Sequence, residues 1–144
     1  MDNKKLYELS HNFIVTASQF AYISHDITTY ELLRNIDGVF LYFSKSMKTV
    51  VLFNEIQILE KYIYIQKIRY GNRFTLNVSN DEEYKNYFIT HLSVIEFFDR
   101  ILEMYLDQYE GEISFTLKFD MGTSGSISVA LSSDRAKETF RSNL

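Results

Sequence analysis

His11 is the residue whose setting best suits nucleophilic chemistry. It lies in a segment whose apolar residues recur at steps of three and four, which predicts a helix over about residues 4 to 23. If Leu6 and Phe13 occupy a positions of a heptad, His11 is at f, the outermost position, where a neutral ring nitrogen faces solvent. Glu8, one turn earlier, could hydrogen-bond the ring and fix its tautomer. An ordinary exposed histidine explains the position equally well, because surface polar residues need no special role.

The other two histidines fit structural roles better. His25-Asp26 falls at a predicted turn between two helices, where Asp26 would accept hydrogen bonds from the first free N–H groups of the second helix. His91 begins a later helix on which, of the Asp, Glu and His residues, only Glu96 and Asp99 stand at a metal-like spacing on the same face, so sequence proximity does not support a three-histidine metal site. The chain has no cysteine, which excludes a thiolate nucleophile and cysteine-ligated metals.

Two helices must position His11, and both carry heptad stripes. We call the first predicted helix, over about residues 4 to 23, α1. The residues of its heptad pattern, which we name the α1 stripe, are Leu6, Leu9, Phe13, Thr16, Phe20 and Ile23. A second helix, over about residues 28 to 48, repeats the same steps through Leu33, Ile36, Phe40, Phe43, Met47 and Val50. The short connection predicts an antiparallel helical hairpin.

A single hairpin buries little apolar surface, and the apolar face of the first helix is widened beyond a simple seam by Ile14, Val15, Ala17 and Ala21. We therefore expect the hairpin of a second copy to cover this face and complete a four-helix bundle in a homodimer. The alternative is that the later α/β segment covers the same face within one monomer.

The second half of the chain alternates between helical and strand patterns. Asn54 to Tyr70 form a third predicted helix, which ends at Gly71. Strands are expected near residues 73 to 79, 112 to 120 and 126 to 132. The last two are predicted to form a β-hairpin, because their connection, residues 121–125, is rich in turn formers. A helix from Leu92 to Tyr105 lies between the first two strands, and Arg135 to Leu144 are expected to form a short terminal helix.

These elements predict an α+β fold with two parts. Residues 1–52 would form the helical hairpin and residues 53–144 an α/β domain, with a linker helix over 53–71. The net charge is −4 with scattered Lys and Arg, so nucleic-acid binding is disfavoured. No apolar run approaches the length of a membrane span, which favours a cytoplasmic protein.

The segment that follows the hairpin resembles a signature of LytS/YesM-type sensor histidine kinases. Asn54-Glu55-Ile56 and then Tyr-Ile-Tyr-Ile-Gln-Lys-Ile-Arg-Tyr-Gly-Asn-Arg-Phe at 62–74 resemble the family segment E-E-(I/L)…Y-L-x-I-Q-K-(I/L)-R-(F/Y)-G-D-R. Upstream, Phe40-Leu41-Tyr42-Phe43-Ser44 is similar to the family's L-L-R-Y-S. The resemblance covers about residues 8 to 132 and implies a truncated histidine-kinase ATPase-like α/β sandwich behind a dimerising hairpin.

The family's phosphate-accepting histidine lies in a P-H-F-L-F-N-T segment, which aligns with residues 10–16 of this chain. His11 and Thr16 are identical, whereas Ser10 replaces the proline and Val15 the asparagine. The resemblance therefore implies that His11 is the candidate phosphoacceptor.

The ATP site that the resemblance implies is not reproduced. Family members carry an E-N-A-(I/V)-K-H run whose Asn binds magnesium; the corresponding residues 99–104 read Asp-Arg-Ile-Leu-Glu-Met. Arg100 offers no oxygen ligand, and Glu103 places a negative charge near phosphate. The family's D-x-G-x-G loop corresponds to Ser-Ser-Asp-Arg-Ala at 132–136, and no glycine follows Gly125. No cofactor is therefore expected.

We thus predict a two-component-signalling protein, a degenerate histidine-kinase-like pseudokinase. It would act as a regulatory or scaffold module that binds a partner histidine kinase or a response regulator. One alternative is a His phosphotransferase that uses His11. Another is a fragment of a larger sensor histidine kinase, although Met1 directly before the hairpin favours a complete small protein.

Overall fold

The computed structural model describes residues 2–79, 85–108, 110–121, 125–133 and 137–144 and has the predicted α+β fold. Its helices are α1 (Asn3–Ile23), α2 (Ile27–Ser44), α3 (Leu52–Tyr70) and α4 (Ser93–Gln108). Its strands are β1 (Thr49–Val51), β2 (Phe74–Val78), β3 (Phe88–Thr90), β4 (Ile113–Asp120), β5 (Ser126–Ser133) and β6 (Lys137–Asn143). A short 3-10 turn, Gly71–Arg73, joins α3 to β2.

The larger sheet has the strand order β2-β4-β5-β6. Strand β2 is parallel to β4, and the remaining pairs are antiparallel. The predicted β-hairpin is confirmed by the pairing of β4 with β5, for example Phe115 opposite Leu131. The connection predicted between these strands, residues 121–125, lies partly outside the described residues, at 122–124.

The predicted terminal helix is wrong. Residues Lys137–Asn143 form β6, which pairs with β5 along its length. Phe140 turns towards Tyr105 on α4, with ring centroids 5.7 Å apart, and its sequence neighbours are exposed. This alternation suits an edge strand, and pairing satisfies backbone groups of β5 that a helix would have left open.

The core lies between the larger sheet and helices α3 and α4. Residues on β4 and β5 alternate between buried apolar and more exposed polar side chains. Helix α4 contributes one apolar side to this core, with Val94, Phe98, Ile101 and Leu102 almost wholly buried. Phe98 and Phe115 meet edge to face, with centroids 5.4 Å apart.

Helix α2 ends earlier than its heptad stripe predicts. It stops at Ser44, and Lys45 has an extended backbone. Val50, the last residue of the predicted heptad stripe, instead lies buried in β1 and pairs with Ile89 of β3. A pairing between segments distant in sequence therefore overrides the local period of the chain.

Helix α1 packs antiparallel to α2, but the α1 stripe does not form the contact between them. Ser18 and Ala21 are the buried residues of α1, and their small side chains let the two helices approach closely. Phe13, Phe20 and Ile23 of the stripe are 76%, 72% and 75% exposed. The α/β segment therefore does not cover this face in a single chain, contrary to the alternative considered above.

The carboxylate of Glu55, wholly buried on α3, joins three segments. Its Oε1 accepts hydrogen bonds from the Tyr42 hydroxyl at 2.9 Å and the Leu92 N–H at 2.6 Å. Its Oε2 accepts from the Val94 N–H at 2.7 Å. Leu92 has a φ of 67°, a strained conformation for leucine, immediately before α4. Glu55 thus ties the end of α2 and the start of α4 to α3.

Replacement of Glu55 by alanine should lower the free energy of unfolding by about 3 kcal/mol or more, because buried donors lose their acceptor. Glu55→Gln keeps one acceptor oxygen and should cost less. Both values can be measured by urea denaturation monitored by circular dichroism. Equal stability of wild type and Glu55→Ala would contradict the role of this carboxylate.

The comparison of wild type with Glu55→Gln also gives a pH test. Burial raises the pKa of Glu55 above its ordinary 4.5, against the opposing hydrogen bonds from Val94, Tyr42 and Leu92. The folded chain therefore binds this proton more tightly than the unfolded chain. The stability of wild type relative to Glu55→Gln should fall as pH rises from 4.5 through the raised pKa. A difference that grows with pH would contradict this assignment.

Candidate functional site

His11 and Asp37 form a pair across the contact between α1 and α2. His11 Nδ1 lies 2.8 Å from Asp37 Oδ1. The Tyr7 hydroxyl, one turn earlier on α1, is a looser neighbour at 3.4 Å from the same nitrogen. The side chains of His11 and Asp37 are 40% and 16% exposed. The imidazole is therefore held on one side and open to solvent on the other.

The geometry of this pair favours one tautomer of the histidine. An ionised carboxylate can only accept hydrogen bonds, so Asp37 favours a proton on Nδ1 of His11. The other ring nitrogen, Nε2, then keeps its lone pair, as a nucleophile or base requires. Burial and the negative charge of Asp37 also raise the pKa of the Tyr7 phenol, so Tyr7 stays neutral.

The structure corrects two details of the predicted site. His11 is not on the outermost face of the hairpin, because α1 is rotated so that His11 borders α2 and the α1 stripe faces solvent. Glu8 is exposed, and the hydrogen bonds of His11 within the described residues go to Asp37 and Tyr7. The carboxylate that orients the ring is therefore Asp37 and not Glu8. The role of His11 as phosphoacceptor stays a prediction.

A groove of about 400 Å³ runs along the contact between α1 and α2 beside this pair. Asp37 lines it together with Arg34, and Tyr22 and Tyr30 meet at its far end with ring centroids 5.6 Å apart. Asp37, the partner of His11, therefore lies in the wall of a concave surface large enough to receive side chains of another molecule.

Asp26 has the structural role that the sequence predicts. Its Oδ1 accepts from the Thr29 N–H at 3.1 Å, and its Oδ2 accepts from the Thr29 hydroxyl at 2.7 Å. These hydrogen bonds, the side-chain one first, lower the pKa of Asp26. His25 has a φ of 58° in the turn between the helices. The His25-Asp26 pair is thus a helix cap.

His91 is also a structural residue at the junction of α2 with the α/β layer. Its Nε2 lies 3.1 Å from the backbone oxygen of Tyr42, and the two rings lie 4.7 Å apart. Within the described residues, no group of three or more His, Asp or Glu side chains is arranged to hold a metal ion. The same part of the chain contains no helix of the length and apolar character that crossing a membrane requires.

The residues that align with the family's magnesium-binding run make contacts within this chain. Asp99 accepts a hydrogen bond from the Tyr62 hydroxyl, and burial together with Asp99 raises the pKa of Tyr62. Arg100 Nε donates to the backbone oxygen of Glu96 at 3.4 Å. Of the segment aligned with the family's glycine loop, Ser132 and Ser133 belong to β5, and residues 134–136 lie outside the described part.

Sequence reasoning missed Asp37 as the partner of His11. The two residues are 26 positions apart, and only the register between α1 and α2 brings them together. The available signal was the position of Asp37 one turn from both Leu33 and Phe40 of the predicted stripe on the second helix, because a charge beside a packed face usually has a partner.

Comparison with known proteins gives one family match. Residues 10–74 match the model of the family described as Histidine kinase. The matched range runs from Ser10 on α1 to Phe74 at the start of β2, and it contains His11, Asp37 and Glu55. A search of curated proteins gave no match. The match supports a relationship to a histidine-kinase family and so to two-component signalling.

Proposed function

We propose that this chain is a regulatory or scaffold module of a two-component system that binds a partner histidine kinase or a response regulator through α1 and α2. The observation that carries this proposal is that α1 and α2 present two surfaces in a single chain. One is the groove beside the His11–Asp37 pair, which would receive the kinase or regulator, and the other is the exposed α1 stripe, whose large apolar side chains lie in solvent. Contiguous apolar patches of this kind mark interaction sites on proteins. We further propose that the module acts in the cytoplasm.

A second copy of the chain is the proposed occupant of the α1 stripe. The 21 residues of α1 make a helix about 30 Å long, and the stripe follows it from Leu6 to Ile23 at heptad spacing. Two copies of the α1–α2 pair could bury these stripes against each other in a four-helix bundle. The groove meets the stripe at Ile23, whereas its end beside His11 is lined by Asp37 and Arg34, and we propose that this end receives a kinase or regulator.

We also propose that the α/β part descends from a LytS/YesM-type kinase core and is degenerate as an ATP site. The support is chemical: Arg100 and Glu103 replace the family's Asn and Lys at the aligned positions. A guanidinium cannot ligate magnesium, and a carboxylate repels phosphate. The proposed units are the hairpin, residues 1–52, and the α/β domain, residues 53–144, with residues 53–71 as the linker helix.

The dimer is tested by light scattering after gel filtration. Wild type should have twice the 17.0-kDa mass of one chain. Phe13→Glu should weaken dimerisation by at least about a hundredfold, because it would bury an unpaired carboxylate. Gln19→Glu, which adds the same charge at an exposed position of α1 outside the stripe, should leave the mass unchanged. A monomeric wild type, or a dimeric Phe13→Glu, would contradict the proposed dimer.

The His11–Asp37 pair favours a second candidate function, phosphotransfer. Nε2 of His11 could attack the phosphorus of an aspartyl phosphate on a response regulator. The P–N bond would form as the P–O bond to the aspartate breaks and its carboxylate is regenerated. The ring gains positive charge in this step, and Asp37 at Nδ1 is placed to stabilise that charge. The reverse reaction would return phosphate to the regulator.

Incubation with a ³²P-labelled phosphorylated regulator tests this candidate. Wild type should gain an acid-labile label and His11→Ala none. Asp37→Asn should slow labelling by about tenfold or more, because it disturbs the tautomer of His11. Glu8→Gln is the matched control and should label like wild type.

Nitrogen-15 NMR of the His11 ring gives an independent reading of the tautomer. We expect the proton on Nδ1 in wild type and a mixed population in Asp37→Asn.

In the ³²P experiment, a wild type that gains no label, or label retained by His11→Ala, would reject the phosphotransfer role of His11. It would leave the proposed dimer to be judged by the mass measurement.

A further inference from the structure

The outward face of the larger sheet is polar and open to solvent. Its inward face packs into the core, and its outward residues are exposed or half-buried. These outward residues are mostly short hydroxyl side chains: Thr75, Ser114, Thr116, Ser128, Ser132 and Thr139. Long side chains on this face therefore stand above a low surface that another molecule can approach.

The charged residues of this face are unlike those of the chain as a whole. Among the described residues, Lys118, Lys137 and Arg141 lie on the outward face with one carboxylate, Asp120. The face is therefore positive, whereas the whole chain carries a net charge of −4. Glu138 points to the inward side, where it accepts a hydrogen bond from the Tyr105 hydroxyl. The outward, solvent-exposed face of the sheet therefore carries an excess of positive charge.

The strand register places two of these cations around one hydroxyl group. Lys118 on β4 lies opposite Ser128 on β5, which lies opposite Arg141 on β6. Neighbouring strands are about 4.8 Å apart, so the backbones of Lys118 and Arg141 lie about 10 Å apart with the short serine between them. Both are exposed, and neither forms an ion pair in the described ranges of the chain. Asp120, further along β4, faces Ser126 and has contacts of its own.

We infer that Lys118, Ser128 and Arg141 form a binding site for a phosphate group. An anion between the two cations would relieve their mutual repulsion. Phosphate oxygens can accept from the ammonium group, from the serine hydroxyl and from the guanidinium, which can bind two oxygens at once. A dianion neutralises both cations, which a single carboxylate does not. The phosphate group belongs either to the free ion or to a phosphorylated side chain.

The site is tested by two-dimensional ¹H–¹⁵N NMR with inorganic phosphate and, separately, phosphoserine as probes, each against sodium chloride at matched ionic strength. Saturable shifts should centre on the amides of Lys118, Ser128 and Arg141. Lys118→Gln and Arg141→Gln should each weaken binding by about three- to fivefold, as expected for exposed charge pairs. Lys137→Gln is the control, because it removes the same charge from the same face outside this row, and it should change binding less than twofold.

The outcomes distinguish specific binding at this site from a general attraction of anions to the positive face. Shifts that chloride reproduces, or equal weakening by Lys137→Gln and the two site variants, would overturn the assignment. Tighter binding of phosphoserine than of phosphate would identify a phosphorylated side chain as the ligand, and the reverse order would identify the free ion.

Discussion

The carboxylate of Glu55 connects segments that lie far apart in the sequence. It accepts hydrogen bonds from the Tyr42 hydroxyl on α2 and from two backbone N–H groups at the start of α4. A buried carboxylate is costly unless such donors surround it, and the donors are costly without it. This mutual dependence fixes the end of α2 relative to the α/β layer. It also holds Leu92 in its strained conformation, from which α4 enters the core.

The site at His11 depends on that junction indirectly, through α2. Helix α2 joins the core through Val39 and Tyr42, whereas α1 rests on α2 through Ser18 and Ala21. Asp37 therefore lies on α2, which is packed against the core. It hydrogen-bonds the ring of His11 on α1, which is not packed against the core. The same arrangement leaves the α1 stripe uncovered. An oriented imidazole and an unburied apolar stripe thus follow from one packing geometry, in which α1 contacts the rest of the chain on a single side.

Local patterns predicted the elements that are stabilised by local or repeated contacts. The alternation of Phe115, Leu117 and Phe119 predicted β4, and Gly71, with a φ of 69°, marks the predicted end of α3. The strands β1, β3 and β6 were not predicted. Strands β1 and β3 are defined by pairing with each other across a long stretch of sequence, and β6 is defined by pairing with β5 at the edge of the sheet, not by its own period. A two-strand ribbon such as β1–β3 has too few residues to show alternation.

The candidate site was predicted only in part for a related reason. The heptad steps on α1 identified an apolar stripe, but a stripe does not specify which partner covers it. Small residues, Ser18 and Ala21, decide the contact with α2, so His11 lies half a turn from its expected position. The contact with Asp37 depends on the register of two helices, which composition and spacing do not give.

The central claim is that this chain acts through contacts with other proteins and not through its own ATP site. Isothermal titration calorimetry of the chain with ATP and magnesium tests the claim most directly. We expect no saturable heat, because Arg100 and Glu103 stand at the positions that align with the family's magnesium- and phosphate-binding residues. Micromolar, magnesium-dependent ATP binding would contradict it.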